Sequence, residues 1–438
     1  MAKIFKPAKS LSLVGKSIDV VIERLDINGI GVGKFKNKSV FVSNALVGEK
    51  VQAKVTEQTS KFIKAKPLKI SQVSEKRITP KCRFFLQCGG CDLQHISAEE
   101  QLSFKQGKVS ELLSRVGLSQ LPWQKTVVES PWSYRRKARI GVQYNKLGEP
   151  TVGFRQTGTN NLTPISYCEV LLPELADVFP KLKQTIELIN QPKSIGHIEV
   201  LFESQVFIIV RQLHKLSDVT KHTWLSAAQE NSWHVAIDDG KSVVPLTPSF
   251  PRLRYSLEEI NIAYSSDDFI QVNHAVNTRM VEQACEWLAL NSEDMVLDLF
   301  CGLGNFSLSM AKRAKQVVGV EGVQAMVDKA GKNSIANNIE NCDFYQLDLN
   351  NAWNEQPWAN KAFNKVLLDP ARAGAFEACQ QLAKFSADKI LYVSCDPTSL
   401  AKDSTVLIEN GYKIVKIGLI DMFAQTKHVE TMVLFERN

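Results

Sequence analysis

The sequence predicts a multi-domain protein: an N-terminal β-barrel of oligonucleotide-binding type, a mixed α/β central domain and a C-terminal Rossmann-like α/β domain. Three observations lead there. Short alternating apolar stretches fill residues 12–70, a knot of cysteines occupies 82–91, and from Asn273 onward helices alternate with near-continuous apolar strands. A chain of 438 residues also exceeds what one hydrophobic core supports. The domain limits read as 10–75, 76–265 and 266–438.

The barrel comes first. Ile18, Val20 and Ile22 alternate with other residues, as do Val51, Ala53 and Val55, and turn-rich Asn28-Gly-Ile-Gly-Val-Gly33 lies between them. Several short strands in about sixty residues suit a small barrel. Residues 1–75 hold fourteen Lys and Arg against six Asp and Glu, a net of +8, so the other 363 residues carry −1 of the total of +7. Charge confined to one β module points to a polyanion such as nucleic acid; a solvated lysine surface is the plainer reading. Phe35 and Phe41, among Lys34, Lys36 and Lys38, are candidates for stacking on bases or for the barrel core.

In the central domain a helix is expected over 97–117, opened by a Ser97–Glu100 capping box and closed by Gly117; it is a candidate to pack on the C-terminal domain. Residues 125–265 read as β-rich, with turns at Asn145–Gly148 and Asp238–Gly240. The run Tyr134-Arg-Arg-Lys-Ala-Arg139 is either a phosphate-contacting strip or a solvated strand edge.

The C-terminal domain reads as a helix over 273–290, then the strand Met295–Phe300, a helix, and strands ending near Val320, Leu368 and Val393. Such alternation predicts a parallel, doubly wound sheet. Asp298-Leu-Phe-Cys-Gly302-Leu-Gly304-Asn-Phe-Ser307 leaves a strand for a helix, so its glycines let backbone approach a ligand. A dinucleotide fingerprint wants Gly or Ala where Ser307 stands, which weighs against a nicotinamide site. Glu321, seventeen residues after Gly304, can accept bonds from ribose hydroxyls; Asp348 and Asp369 end later strands. Taken singly each is a turn or cap residue. Together, on the carboxyl edge of one sheet, they suit S-adenosylmethionine. Cys395, in Ser394-Cys-Asp-Pro397, stands just past a strand and is a candidate nucleophile; the competing reading is a small core residue.

Cys82, Cys88 and Cys91 put three thiols in ten residues, and Cys168 is a candidate fourth. That pattern indicates metal ligation, with zinc and an iron–sulfur cluster both open. Nine cysteines, an odd number, argue for a reducing compartment. With no signal-like N-terminus and no run of eighteen apolar residues, a soluble cytoplasmic protein without membrane contact is expected.

The motifs Asp268-Phe-Ile-Gln271-Val-Asn273, Asp298–Phe306, Leu368-Asp-Pro-Ala-Arg372, Ser394–Pro397 and His428-Val-Glu430 resemble those of the S-adenosylmethionine-dependent uracil-C5 RNA methyltransferases. The basic barrel and the cysteine cluster are similar to the 23S ribosomal RNA branch of that family. Two positions depart from its pattern: a proline common before Asp268 is absent, and Ala424 replaces another. The resemblance implies a TRAM-type barrel, 23S ribosomal RNA as partner, a [4Fe–4S] cluster on Cys82, Cys88, Cys91 and Cys168, and a monomer. It implies Cys395 as the nucleophile adding to uracil C6 and Glu430 as the base that later removes the C5 proton; alone, Glu430 reads as a surface acid. It implies a cofactor site of Gln271, Phe300, Gly302, Gly304, Asn305, Glu321, Asp348 and Asp369, with Gln271 and Asp369 also candidates for the uracil's polar edge. Alternatives are methylation of another RNA such as tRNA, a non-catalytic RNA-binding protein, and a nucleotide-dependent oxidoreductase.

Overall fold

A computed structural model describes residues 12–383 and 385–437; Lys3, Lys6 and Lys9 of the basic segment lie outside the described residues. The chain divides into two compact units. One comprises the residues up to Lys81, Cys91–Phe104 and Gln425–Lys427; the other comprises Cys82–Gly90, Lys105–Ala424 and His428–Asn438.

The first unit contains a closed barrel of five strands, Ser17–Leu25, Gly31–Phe35, Lys38–Val42, Lys50–Gln58 and Phe62–Gln72. The alternating residues Ile18, Val20, Ile22, Val51, Ala53 and Val55 all turn inward. A Cβ on Gly33 would sit 2.1 Å from the Val21 carbonyl oxygen, so only glycine lets those strands close. Lys50, Lys54, Lys64, Lys66 and Lys69 take outward positions. Phe35 packs against the core, and Phe41 meets Phe62 edge-on at 6.0 Å.

The helix Ala98–Ser114 is capped by the Ser97 hydroxyl, which accepts from the Glu100 N–H at 3.3 Å. The Glu100 carboxylate pairs with Lys76 at 2.7 Å. In the second unit, Val109 and Leu113 of this helix are fully buried in one core with Leu297, Leu299 and Val366.

The second unit holds two seven-stranded sheets. In the first, Lys137–Tyr144 lies between Ile195–Phe202 and Pro150–Arg155, an interior position and not an edge. Tyr134 and Arg136, just before it, are buried. Of the basic strip, Arg136 is buried, Arg135 and Lys137 are half-buried and Arg139 is exposed, so it is not a solvated strand edge.

The second sheet runs Cys342–Gln346, Gln316–Glu321, Met295–Leu299, Lys365–Leu368, Lys389–Ser394, Glu430–Arg437, Tyr412–Ile420. It departs from an all-parallel sheet at one strand: Glu430–Arg437 runs antiparallel to both neighbours. Only residues 421–429 join it to Tyr412–Ile420, and a parallel return needs a crossover of a dozen or more residues. The reversal brings the start of the last strand, Glu430, to the edge where the parallel strands end.

Candidate active site

The carboxyl edge of this sheet collects the titratable groups. Cys395 follows the strand Lys389–Ser394 and precedes the helix Pro397–Glu409, whose cap Asp396 accepts from the N–H groups of Thr398 (2.8 Å) and Ser399 (3.3 Å). Ser394 pairs with Thr431, and one further step of that register sets Cys395 opposite Glu430. Asp369 ends the neighbouring strand Lys365–Leu368.

The three act on one another electrostatically. Burial pushes the half-buried Cys395 thiol up to about 11, with Glu430 and Asp369 adding to the effect and Arg372 opposing it. Burial, then Asp369, holds the Glu430 carboxyl well above the usual carboxylate range. Burial raises Asp369 to about 7. Near neutral pH the Cys395 thiol thus retains its proton.

The glycine loop is built by its conformations. Gly302 and Gly304 have φ of +55° and +90°, and Phe300, a non-glycine, sits at +65°. Glu321 ends its strand and accepts from the Gly302 N–H at 3.2 Å and the Val323 N–H at 3.1 Å. The Asn305 side chain exchanges hydrogen bonds with Asn277 (3.0 and 3.1 Å) and accepts from the Tyr255 hydroxyl at 2.9 Å. Asp348 is exposed, two residues beyond its strand, and its carboxylate accepts from the Asn350 backbone at 3.1 Å and side chain at 2.9 Å.

Two residues here had no assigned role in the sequence. Asp298 is buried and pushed up to about 7, first by burial and then by Asp369 and Glu321 despite a bond from Ser307. The Ser307 hydroxyl donates to it, which explains a serine where a dinucleotide site wants glycine or alanine. The second is Phe269, 72% exposed. Its segment is fixed on both sides: Lys137 donates to the Ser266 and Asp268 carbonyls, and Lys329 pairs with the Asp268 carboxylate at 2.6 and 2.7 Å. An apolar residue between Asp268 and Gln271, in the motif Asp268–Asn273, is the signal that could have found it.

The donor set suits S-adenosylmethionine. An acid ends the second strand, positive-φ glycines keep the loop bare, and Gln271 Oε1 and Asp298 Oδ1 are buried without partners.

Away from this edge, Cys82, Cys88 and Cys168 act on one another. Burial first, then Cys168 and Cys82, pushes the Cys88 thiol up to about 11, and burial, with Cys82 adding to it, raises Cys168. Cys91 belongs to the barrel's unit. Among the described residues no group of three or more His, Cys, Asp or Glu side chains is arranged to hold a metal ion. None of the described helices is long and apolar enough to cross a membrane.

Comparison with known proteins gives two family matches: tRNA (Uracil-5-)-methyltransferase over residues 251–438 and TRAM domain over residues 11–68. A Colwellia psychrerythraea protein, 23S rRNA (uracil(1939)-C(5))-methyltransferase RlmD, is 47% identical, with 99% of each chain covered. Proteins of the same name from Psychromonas ingrahamii and Vibrio campbellii are 41% and 40% identical over 99% and 100% of this chain and all of theirs. The solved Pyrococcus abyssi tRNA (uracil-54, C5)-methyltransferase in complex with S-adenosyl-L-homocysteine has a TM-score of 0.75 at 22% identity. It covers 95% of this chain and 100% of its own, a likeness of fold.

Proposed function

The chain belongs to the 23S rRNA (uracil-C5)-methyltransferase family, and from that premise we propose that it methylates carbon 5 of a 23S ribosomal RNA uridine with S-adenosylmethionine as donor. The uridine is the one in the relatives' names, uracil 1939. The observation that carries this reading is the meeting of Cys395, Asp369 and Glu430 on one sheet edge.

Uracil C5 is a poor nucleophile until a thiolate adds to C6. Cys395 Sγ forms that bond, and the C5=C6 electrons pass to O4 as an enolate. S-adenosylmethionine, when bound, supplies the electrophilic methyl that C5 takes up, departs as a neutral thioether, and carries until then a sulfonium charge favouring the ionised forms of Cys395, Asp369 and Glu430. Glu430 then accepts the proton left on C5; the electrons of the broken C5–H bond re-form C5=C6, and the C6–S pair leaves with the Cys395 thiolate. Asp369 and Gln271 hold the polar edge of the uracil or the cofactor. Glu321 takes the ribose, Asp348 the adenine, and Phe300, Gly302, Gly304 and Asn305 shape the loop. The base must be turned out of the folded RNA, at about a few kcal/mol, and Phe269 is assigned to stack on RNA bases.

The barrel's lysines are assigned to RNA phosphates. Cys82, Cys88, Cys91 and Cys168 are assigned to a [4Fe–4S] cluster, since an all-thiolate set suits one, as it also suits zinc. Its part is structural or RNA-positioning, because methyl transfer moves no electron. Iron and acid-labile sulfide in anaerobically purified protein are expected; zinc without sulfide refutes the cluster. We place the protein in the cytoplasm as a monomer. Mapping 5-methyluridine in 23S rRNA from cells lacking the protein tests the function: loss at one position is expected, and an unchanged map overturns it.

A further inference from the structure

We infer that a pocket formed by Arg136, Asn273 and His274 binds a phosphate group of the RNA backbone. This rests on the reading of the chain as an RNA methyltransferase. A cavity of about 370 Å³ is lined by these residues, with Ser130, Ser133 and Glu203 among the others.

The three nitrogen-bearing side chains leave hydrogen-bonding capacity unmet. Arg136 is 3% exposed; its Nε donates to the Gln271 carbonyl at 3.1 Å, its Nη1 to Glu203 at 3.4 Å, and its guanidinium lies 4.7 Å from the centre of the Tyr255 ring. Its Nη2 is buried without a partner. Asn273, 1% exposed, caps the fifteen-residue helix His274–Leu288 through Oδ1, which accepts from the Val276 N–H at 3.3 Å. Its Nδ2 is buried and unpartnered, as is His274 Nδ1. Burial, then Arg136, pushes His274 down to about 4, so its ring is neutral at pH 7 and has one N–H to give. The helix N-terminus adds partial positive charge at the same place.

These features select the ligand. Two of the orphaned atoms are obligate donors and the third can be one. A base edge brings donors as well as acceptors; a phosphate brings acceptors only, and a guanidinium, an amide, hydroxyls and a helix N-terminus are the groups that bind it. Glu203 does not oppose this with a bare charge, because Arg136 and the Tyr264 hydroxyl both donate to it. Glu129 is also in the lining, but it is exposed and screened by solvent. Because Arg136 also holds the Gln271 carbonyl, a phosphate seated here registers the RNA against the Gln271 segment.

The test is binding of a 23S rRNA transcript to the full-length protein across a salt series. Asn273→Asp keeps side-chain size and helix capping and turns the orphaned donor into a carboxylate oxygen. Affinity is expected to fall roughly ten- to hundredfold, from the usual worth of a hydrogen bond to a charged group. The slope of log affinity against log salt should shrink by about 0.7–0.9, one phosphate's share. S-adenosylhomocysteine binding reports folding. Should Asn273→Asp fail that control, Ser133→Asp, at an exposed position, must shrink the slope in its place. Wild-type affinity and slope in the folded variant overturn the proposal, as does weaker binding with an unchanged slope and altered base preference, which would mean a base pocket. Absence of RNA binding by the wild-type protein would instead overturn the RNA reading itself, and the pocket with it.

Discussion

The thiol of Cys395 gives the sharpest prediction, because its environment sets its reactivity before any ligand arrives. Its value is pushed from an ordinary 9 up to about 11. In the ligand-free protein that leaves roughly a hundredfold less thiolate at neutral pH than a free cysteine has. A more basic thiolate is intrinsically more nucleophilic, with a Brønsted coefficient of about 0.4–0.5, which returns roughly eightfold. Alkylation of Cys395 by iodoacetamide, followed on its own peptide by mass spectrometry, should therefore run about tenfold slower than for a free thiol. Its rate should keep rising with pH past 9. Asp369→Asn removes one of the charges that raises the thiol and should speed the reaction above pH 7, where Asp369 is ionised. S-adenosylmethionine should speed alkylation relative to S-adenosylhomocysteine, since the two fill the same space and differ by one positive charge. A rate that levels off near pH 8, or that ignores Asp369→Asn, would refute the reasoning.

Three further outcomes follow from the same geometry. Glu430→Gln should lower turnover by about 10²–10⁴-fold and leave a covalent protein–RNA complex visible on a denaturing gel; normal release of methylated RNA would contradict the assigned base. Asp298 ionises near 7 in the folded state against an ordinary value of 3.8, so the folded state holds its proton more tightly. Stability of the ligand-free protein should fall as pH rises from about 4 to 7 and then level off, by up to roughly 4 kcal/mol; denaturant titrations of Asp298→Asn should show a flatter profile. Phe269→Ala should raise the KM for RNA by roughly five- to a hundredfold, the worth of about one stacked base, with S-adenosylhomocysteine binding unchanged.

Much of the fold was legible because it rests on local periodicity. Ile18, Val20 and Ile22 alternate in the sequence and turn inward in the barrel. The glycine loop announces itself, since Gly302 and Gly304 adopt φ values that other residues avoid. What was not legible depends on partners distant in sequence. The last strand reads as an apolar run like the sheet's parallel strands, and the short link at 421–429 reverses it. The burial of Glu430 follows from that reversal and from no property of its neighbours in sequence. Arg136 reads as surface charge within a basic run, yet it is buried against Tyr255 and Glu203, which lie 119 and 67 residues away. Ser307 reads as a flaw in a dinucleotide motif until its partner, Asp298, is seen.

The most direct test is methyl transfer from S-adenosylmethionine to an unmodified 23S rRNA fragment by Cys395→Ser beside the wild-type protein. Loss of 5-methyluridine formation, with RNA and S-adenosylhomocysteine binding retained, is the expected result. Modification by the serine variant at the wild-type rate would contradict addition of this sulfur to the pyrimidine ring.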